Sequence, residues 1–206
     1  MEGIIFNFSP SLKGSSAFIS KRISEVLLSE NVSTEVVNIH KLKILPCGSC
    51  SEYCYKYGKC KIKNDDMSKI YKMLTTKDFF VIVTPVYFYH IPGYAKIMID
   101  RCQPYWVRKY ILKNFVSVQK LGSLVCVAAT KGKKLFSGIN LTTKYFFDIF
   151  NINFNKKFNL YLRNVETIKD INNNKTELDQ YICSLSISVK KYVLLKVEKG
   201  RITRYG

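Results

Sequence analysis

Residues 78–101 read DFFVIVTPVYFYHIPGYAKIMIDR, and this stretch decides the fold. The apolar run from Phe79 to Val83 is too short for a typical helix and stops at Thr84-Pro85, which is the pattern of a buried parallel strand. Because proline cannot continue a central strand, the chain must leave the sheet at that point. An aromatic loop follows at 87–89, and Pro92 then opens a helix as its first residue.

This aromatic loop is expected at the carboxyl end of a central strand, next to a helix start. In an open α/β sheet, that edge is where ligands bind. The pattern indicates the border of a site for a flat cofactor, formed by Pro85, Val86, Tyr87 and Phe88. The alternative interpretation is an aromatic loop that packs into the core or against another subunit.

A second turn with binding character follows the first predicted strand, residues 4–8. It reads SPSLKGSS over residues 9–16 and leads into a helix with apolar residues at a helical period. Backbone N–H groups at the helix start, serine hydroxyls and the positive end of the helix dipole suit a phosphate monoester. The turn lacks the glycines of a Walker or dinucleotide motif, and a serine-rich helix cap without a ligand is the alternative. The candidate phosphate-binding residues are Ser9, Ser11, Lys13, Gly14, Ser15 and Ser16.

The remaining pattern alternates strands and helices. Further strands are predicted at about 34–39, 121–129 and 154–162, and a last helix at about 175–195. This alternation predicts a parallel sheet with right-handed crossovers. For a chain of this length, the expected architecture is a flavodoxin-like three-layer α/β sandwich with five strands in the order 2-1-3-4-5.

That strand order places the serine turn beside the aromatic loop, at the switch point between strands 1 and 3. A phosphate attached to a flat ring system is FMN, so the sequence predicts an FMN site. Residues 1–196 form the predicted FMN-binding domain, and residues 197–206 form a predicted basic C-terminal tail.

Charge and hydropathy exclude other classes of protein. The 206 residues carry a formal net charge of +18, but the basic residues are spread along the chain. Because no stripe of basic and aromatic residues marks a nucleic-acid face, we expect no nucleic-acid partner. No segment approaches about 18 uninterrupted apolar residues, so we expect no membrane span and a cytoplasmic protein. In the reducing cytoplasm, the seven cysteines are expected to be free thiols or metal ligands more readily than disulfides.

The sequence resembles the iron–sulfur flavoproteins and NADPH-dependent FMN reductases of the flavodoxin-like superfamily. The matching pieces are the serine turn, the cysteines that lead into Asp65-Asp66-Met67, residues 84–93 and Ile99-Asp100-Arg101. The resemblance implies an FMN enzyme that forms a homodimer or homotetramer, in which partner residues complete the flavin pocket. It also implies that Ser9, Ser11, Ser15 and Ser16 hold the phosphate, that Pro85 to Phe88 border the ring, and that Thr130, Lys131 and Gly132 touch its other side.

A cysteine loop contains Cys47, Cys50, Cys54 and Cys60. Relatives that hold a [4Fe–4S] cluster have the compact run Cys-x-x-Cys-x-x-Cys and a fourth cysteine a few residues on. Here three residues separate Cys50 from Cys54, and the extra residue rotates one ligand unless the loop bulges. Zinc tolerates that gap, and free thiols are the third interpretation.

The predicted activity is that of an FMN-dependent NAD(P)H oxidoreductase, which passes electrons from a nicotinamide through FMN to a small acceptor such as a quinone or a flavin. The alternative is an iron–sulfur flavoprotein that exchanges electrons with a ferredoxin-like partner, for which a basic surface suits an acidic protein. A zinc-stabilised binding protein without redox activity is the third class. No catalytic side chain is predicted, because the flavin itself carries the chemistry.

Overall fold

The sheet positions the candidate site, and its strand order is the predicted one. The computed structural model describes residues 2–48 and 50–202. All strand pairs are parallel, and the order β2-β1-β3-β4-β5 confirms the flavodoxin-like prediction. The strands are β1 (Glu2–Asn7), β2 (Ser33–Asn38), β3 (Phe79–Pro85), β4 (Lys120–Val127), β5 (Ile152–Phe154) and β6 (Leu160–Leu162).

Helices cover both faces of this sheet. The strands are buried on both sides, so alternate residues belong to different cores: Ile4 and Phe6 face one, and Ile5 faces the other. The helices are α1 (Ser15–Ser29), α2 (Ser51–Tyr57), α3 (Met67–Thr76), α4 (Gly93–Asp100), α5 (Gln103–Trp106), α6 (Ser137–Ile149), α7 (Ile168–Ile171) and α8 (Lys175–Ile202). One core is closed by α3, α4 and α6, and the opposite core by α1, α7 and α8.

The single fifth strand predicted over 154–162 is wrong in detail, because two short strands replace it. β5 pairs with the start of β4 and β6 with its end, and a 3-10 turn at Lys156–Phe158 separates them. The Asn155 side chain accepts the N–H of Lys157 at 3.0 Å, and Asn159 Oδ1 accepts the N–H of Leu124 at 3.0 Å. Asparagine side chains thus satisfy backbone groups that a continuous strand would bond, which is a local competition typical of this residue.

Two helix boundaries also differ from the sequence prediction. Pro92 precedes α4 instead of opening it, and its carbonyl accepts the N–H of Ala95 at 3.0 Å. The last helix continues to Ile202, so the predicted tail is helical up to that residue. Residues 203–206 lie outside the described residues, and the division at 196 stays a prediction. No helix in the described part of the chain is long and apolar enough to cross a bilayer.

Candidate functional site

The serine turn is shaped by a chain of local hydrogen bonds at the end of β1. Asn7 Nδ2 donates to Asn38 Oδ1 at 2.7 Å, which fixes the Asn7 side chain against the end of β2. Asn7 Oδ1 then accepts the N–H of Ser9 at 3.0 Å, and Ser9 Oγ accepts the N–H of Ser11 at 3.2 Å. Ser11 Oγ in turn accepts the N–H of Lys13 at 3.3 Å. These hydrogen bonds from backbone N–H groups to side-chain oxygens fix the backbone of the turn, which has no regular secondary structure.

The first turn of α1 has the features of an anion site. Ser15 and Ser16 are its first two residues and both are buried, whereas Ser11 and Lys13 are exposed. Gly14 at the cap position offers no side-chain bond, and the first turn holds no acidic residue. The Ser15 hydroxyl is buried and has no hydrogen-bond partner among residues 2–48 and 50–202. Since a buried polar atom without a partner is costly, an uncapped helix start with such a hydroxyl fits a phosphate group.

The aromatic loop is a tight two-residue hairpin turn. The N–H of Tyr87 donates to the carbonyl of His90 at 2.8 Å, and the reverse bond measures 2.9 Å. Between them, Phe88 and Tyr89 have φ values of +47° and +62°. Side chains with a Cβ rarely occupy this left-handed region, at a cost of about 1–2 kcal/mol each. Backbone strain of this kind is typical of functional sites. The Phe88 side chain is fully exposed at the tip of the turn.

The loop after β4 lies against this aromatic turn. A Cβ added to Gly132 would come within 2.9 Å of Tyr89 Oη, so glycine permits the close approach. His90 Nε2 is 3.0 Å from the Thr142 hydroxyl of α6, which fixes the turn from the same side. Thr130 and Lys131 are both exposed beside it. The structure thus places the predicted Thr130–Gly132 segment next to the predicted ring-binding loop.

Phe8 connects the serine turn to the rest of the site. Its N–H donates to the carbonyl of Val83 at 2.8 Å, and its carbonyl accepts the Tyr94 hydroxyl at 2.5 Å. Tyr94 lies in α4, so this bond joins the helix after the aromatic loop to the start of the serine turn. Burial raises the pKa of Tyr94, so its hydroxyl stays protonated and acts as a hydrogen-bond donor. Tyr94 is not among the residues predicted for the site, because nothing in the local sequence pattern distinguishes it from a surface tyrosine.

Four cysteines of the cysteine loop, Cys47, Cys50, Cys54 and Cys60, line one cavity of about 280 Å³. Helix geometry explains how Cys50 and Cys54 both reach this cavity although three residues separate them. Cys50 precedes α2, and the Cys54 N–H donates to the Cys50 carbonyl at 3.1 Å. Residues four apart on a helical turn face the same side, so the three-residue gap keeps both thiols on the cavity.

The arrangement of these thiols determines which kind of metal group they could hold. Over residues 2–48 and 50–202, no three His, Cys, Asp or Glu side chains are grouped as ligands of a single metal ion. Burial, together with the neighbouring thiols, raises the pKa of Cys54 to about 11. Burial also raises the pKa of Cys47. Both thiols are therefore protonated at neutral pH, and a bound metal group would have to displace their protons. Four thiols around one cavity are the donor set that a [4Fe–4S] cluster requires.

A parallel sheet with a serine turn and an aromatic turn at its switch point defines a flavodoxin-like protein with a candidate flavin site. Residues 1–143 match the NADPH-dependent FMN reductase family, and the chain belongs to that family. The matched region includes both turns and the cysteine loop.

Individual relatives agree with this assignment. An iron–sulfur flavoprotein of Methanocaldococcus jannaschii is 28% identical over 131 residues, a match that spans 64% of each chain. An NAD(P)H:quinone oxidoreductase from Methanothermobacter marburgensis has a similar structure, with a TM-score of 0.64, 15% identity and coverage of 89% of this chain and 92% of its own. An FMN-dependent NADH-azoreductase from Bacillus anthracis, solved with FMN, gives a TM-score of 0.60 at 15% identity, covering 90% of this chain and 99% of its own. At such low identity, the two structures show the shared fold alone.

Proposed function

We propose that the protein is an FMN-dependent oxidoreductase that takes a hydride from NAD(P)H and passes the electrons to a small acceptor such as a quinone or a flavin. The observation that carries the proposal is the uncapped start of α1, with its buried and unpartnered Ser15 hydroxyl, at the switch point of the sheet. Family membership supports the same activity.

The chain's own residues would bind and orient the cofactor. Ser15, Ser16 and the backbone N–H groups of the α1 start would hold the phosphate, and Lys13 would add a positive charge. Pro85 to Phe88 would border the ring on one side and Thr130 to Gly132 on the other. FMN, when bound, supplies the hydride and electron transfer. Because the strained aromatic turn projects Phe88 away from its own chain, we also propose a homodimer or homotetramer in which a second copy covers this side.

A second group, a [4Fe–4S] cluster, is proposed for the cavity of the cysteine loop. Cys47, Cys50, Cys54 and Cys60 would supply the four thiolates that such a cluster needs. The supporting observation is that the altered spacing still directs all four residues to one cavity. A cluster would add one-electron transfer, and a ferredoxin-like acidic protein is then a suitable partner for the basic surface.

The activity is tested by the spectrum of protein purified without air. We expect yellow protein with flavin absorbance that bleaches within the mixing time of an excess of NADPH or NADH, since hydride transfer reduces the ring. Bleaching by dithionite but by neither nicotinamide would contradict the oxidoreductase proposal and leave an electron-transfer flavoprotein. Protein without flavin that also fails to bind added FMN would contradict the flavin site itself.

The cluster is tested by iron analysis on the same protein. We expect about four irons per chain, and Cys54→Ser should lose most of them while FMN remains. Cys183→Ser is the matched control, because this exposed cysteine lies on α8 and does not line the cavity. Iron-free protein with titratable thiols after anaerobic purification would contradict the cluster and favour a plain FMN reductase.

The strained turn gives a prediction in which stability and binding change in opposite directions. Phe88→Gly should leave the free energy of unfolding unchanged or raise it by up to about 1 kcal/mol, because glycine adopts a positive φ without strain. FMN affinity should nevertheless fall, since the aromatic ring at this position is lost.

Lys113→Gly is the control for that experiment, because exposed Lys113 also has a positive φ, +51°, outside the candidate site. It should gain similar stability and keep the parental FMN affinity, measured by fluorescence titration. Phe88→Gly protein that binds FMN like the parent would show that this side chain has no part in the flavin site.

A further inference from the structure

Arg101 is a buried arginine that joins both ends of the cysteine loop. Its side chain is fully buried and lines the same cavity as the four cysteines. Nη1 donates to the carbonyl of Leu45 at 2.7 Å, two positions before Cys47. Nη2 donates to the carbonyl of Ile62 at 3.3 Å, two positions after Cys60. One guanidinium group therefore holds the entry and the exit of the loop together.

Asp65 completes this arrangement as a buried counter-ion. Its carboxylate accepts from Arg101 Nη1 at 2.5 Å and from Nη2 at 3.4 Å. It also accepts the backbone N–H groups of Leu45 and Met67, each at 3.1 Å. Burial alone would raise the pKa of Asp65, but the Arg101 and backbone hydrogen bonds hold it below its usual value. A buried ion pair seldom repays its desolvation through stability alone, so a further role is expected.

The Nε–H of Arg101 has no such partner. It is buried and donates no hydrogen bond to any residue that the structure describes. A buried donor on a charged group costs more free energy than a neutral one when it is left unmatched. The Arg101 side chain that carries this donor lines the cavity of the four thiols. An acceptor inside that cavity would satisfy the last donor of the guanidinium.

We propose that Arg101 donates its Nε–H to a sulfur atom of the cluster held by the four cysteines, and that its fixed positive charge raises the reduction potential of that cluster. The inference rests on the proposed [4Fe–4S] group. Hydrogen bonds to cluster sulfurs and the net charge around them are the main means by which a protein sets such potentials. A potential raised in this way makes reduction of the cluster by a reduced flavin more favourable.

The test uses the protein purified without air, with Arg101→Met and Arg101→Lys. Both variants lose the Nε–H at this position, but only lysine keeps a charge for Asp65. We expect Arg101→Met to lower the equilibrium constant for cluster reduction at least about tenfold, which is a shift of about 59 mV to more negative potential for a one-electron couple. Arg101→Lys should give a smaller shift in the same direction. Arg108→Lys is the matched control, because Arg108 stacks on Tyr105 and does not line the cysteine cavity.

The reduction potential of the cluster distinguishes a direct hydrogen bond from structural support of the cysteine loop. If Arg101 only supported the loop, its replacement would lower the iron content but leave the potential of the remaining clusters unchanged. Arg101→Met protein with the parental potential would overturn the inference. If that variant does not fold, parent protein labelled with ¹⁵N-arginine decides: the reduced cluster should show ¹⁵N coupling in pulsed electron paramagnetic resonance. The coupling should persist in labelled Arg108→Lys, and its absence from the parent would overturn the inference. Iron-free parent protein would instead overturn the cluster proposal, and this inference with it.

Discussion

Replacing Asp65 with alanine is expected to lower the free energy of unfolding by about 3–5 kcal/mol, the usual cost of leaving a buried charge without its partner. The substitution strands the Arg101 guanidinium, whose side chain is 0% exposed against 1% for Asp65. It also removes the acceptor of two backbone N–H groups, those of Leu45 and Met67. Urea unfolding followed by circular dichroism measures the loss.

Asp66→Ala is the matched control for this prediction. Asp66 is the adjacent carboxylate, and it pairs with Lys69 at 2.7 Å at a partly exposed site. A solvent-screened pair of that kind contributes little, so the control should lose far less stability. Equal losses in the two variants would contradict a special role for the buried pair.

The Asp65 contribution should also depend on pH. The pKa of Asp65 is lowered in the folded protein, so its ionised form stabilises the fold above the unfolded pKa of about 3.9. This contribution disappears as the pH falls through the lower, folded value. The gap in unfolding free energy between parent and Asp65→Ala should therefore be full at pH 7 and narrow progressively below about pH 4. A gap that stays constant down to pH 2 would show that ionisation of Asp65 is not its source.

Replacing Ser15 with aspartate is expected to lower FMN affinity at least about tenfold, because a carboxylate would face the phosphate dianion and a hydroxyl donor would be lost. The helix dipole favours a negative charge in the first turn of α1 and offsets part of the cost of burying this carboxylate. Fluorescence titration with FMN measures the affinity, and circular dichroism checks the fold.

Ser68→Asp controls for a new charge at a helix start, because exposed Ser68 lies in the first turn of α3. It should bind FMN like the parent. If Ser15→Asp misfolds, Ser15→Ala makes the same test without a charge, through the loss of one hydrogen bond to a charged group. Parental FMN affinity in a folded Ser15 variant would show that the phosphate lies elsewhere.

The sequence by itself determined the strand order and the location of the candidate flavin site. Strands β1 and β3 contain the apolar runs Ile4–Phe6 and Phe79–Val83, and Thr84-Pro85 marks where the central strand must end. The apolar runs and the proline stop can both be read from neighbouring residues. Because crossovers between parallel strands are right-handed, few strand orders are then possible. The serine turn and the aromatic loop could therefore be placed side by side before any coordinates were known. Their binding roles stay predictions until FMN titration.

Only the tertiary structure decided which features complete the site. The strain at Phe88 and Tyr89, the break between β5 and β6 and the common cavity of the cysteines are not encoded by residue periodicity. Spacing alone suggested that Cys54 would rotate away from its neighbours, whereas the helical turn of α2 keeps it on the cavity. The Arg101–Asp65 pair joins residues 36 positions apart. A contact between side chains so far apart in sequence follows from how helices pack on the sheet, because burial and charge pairing depend on three-dimensional neighbours that no local pattern specifies.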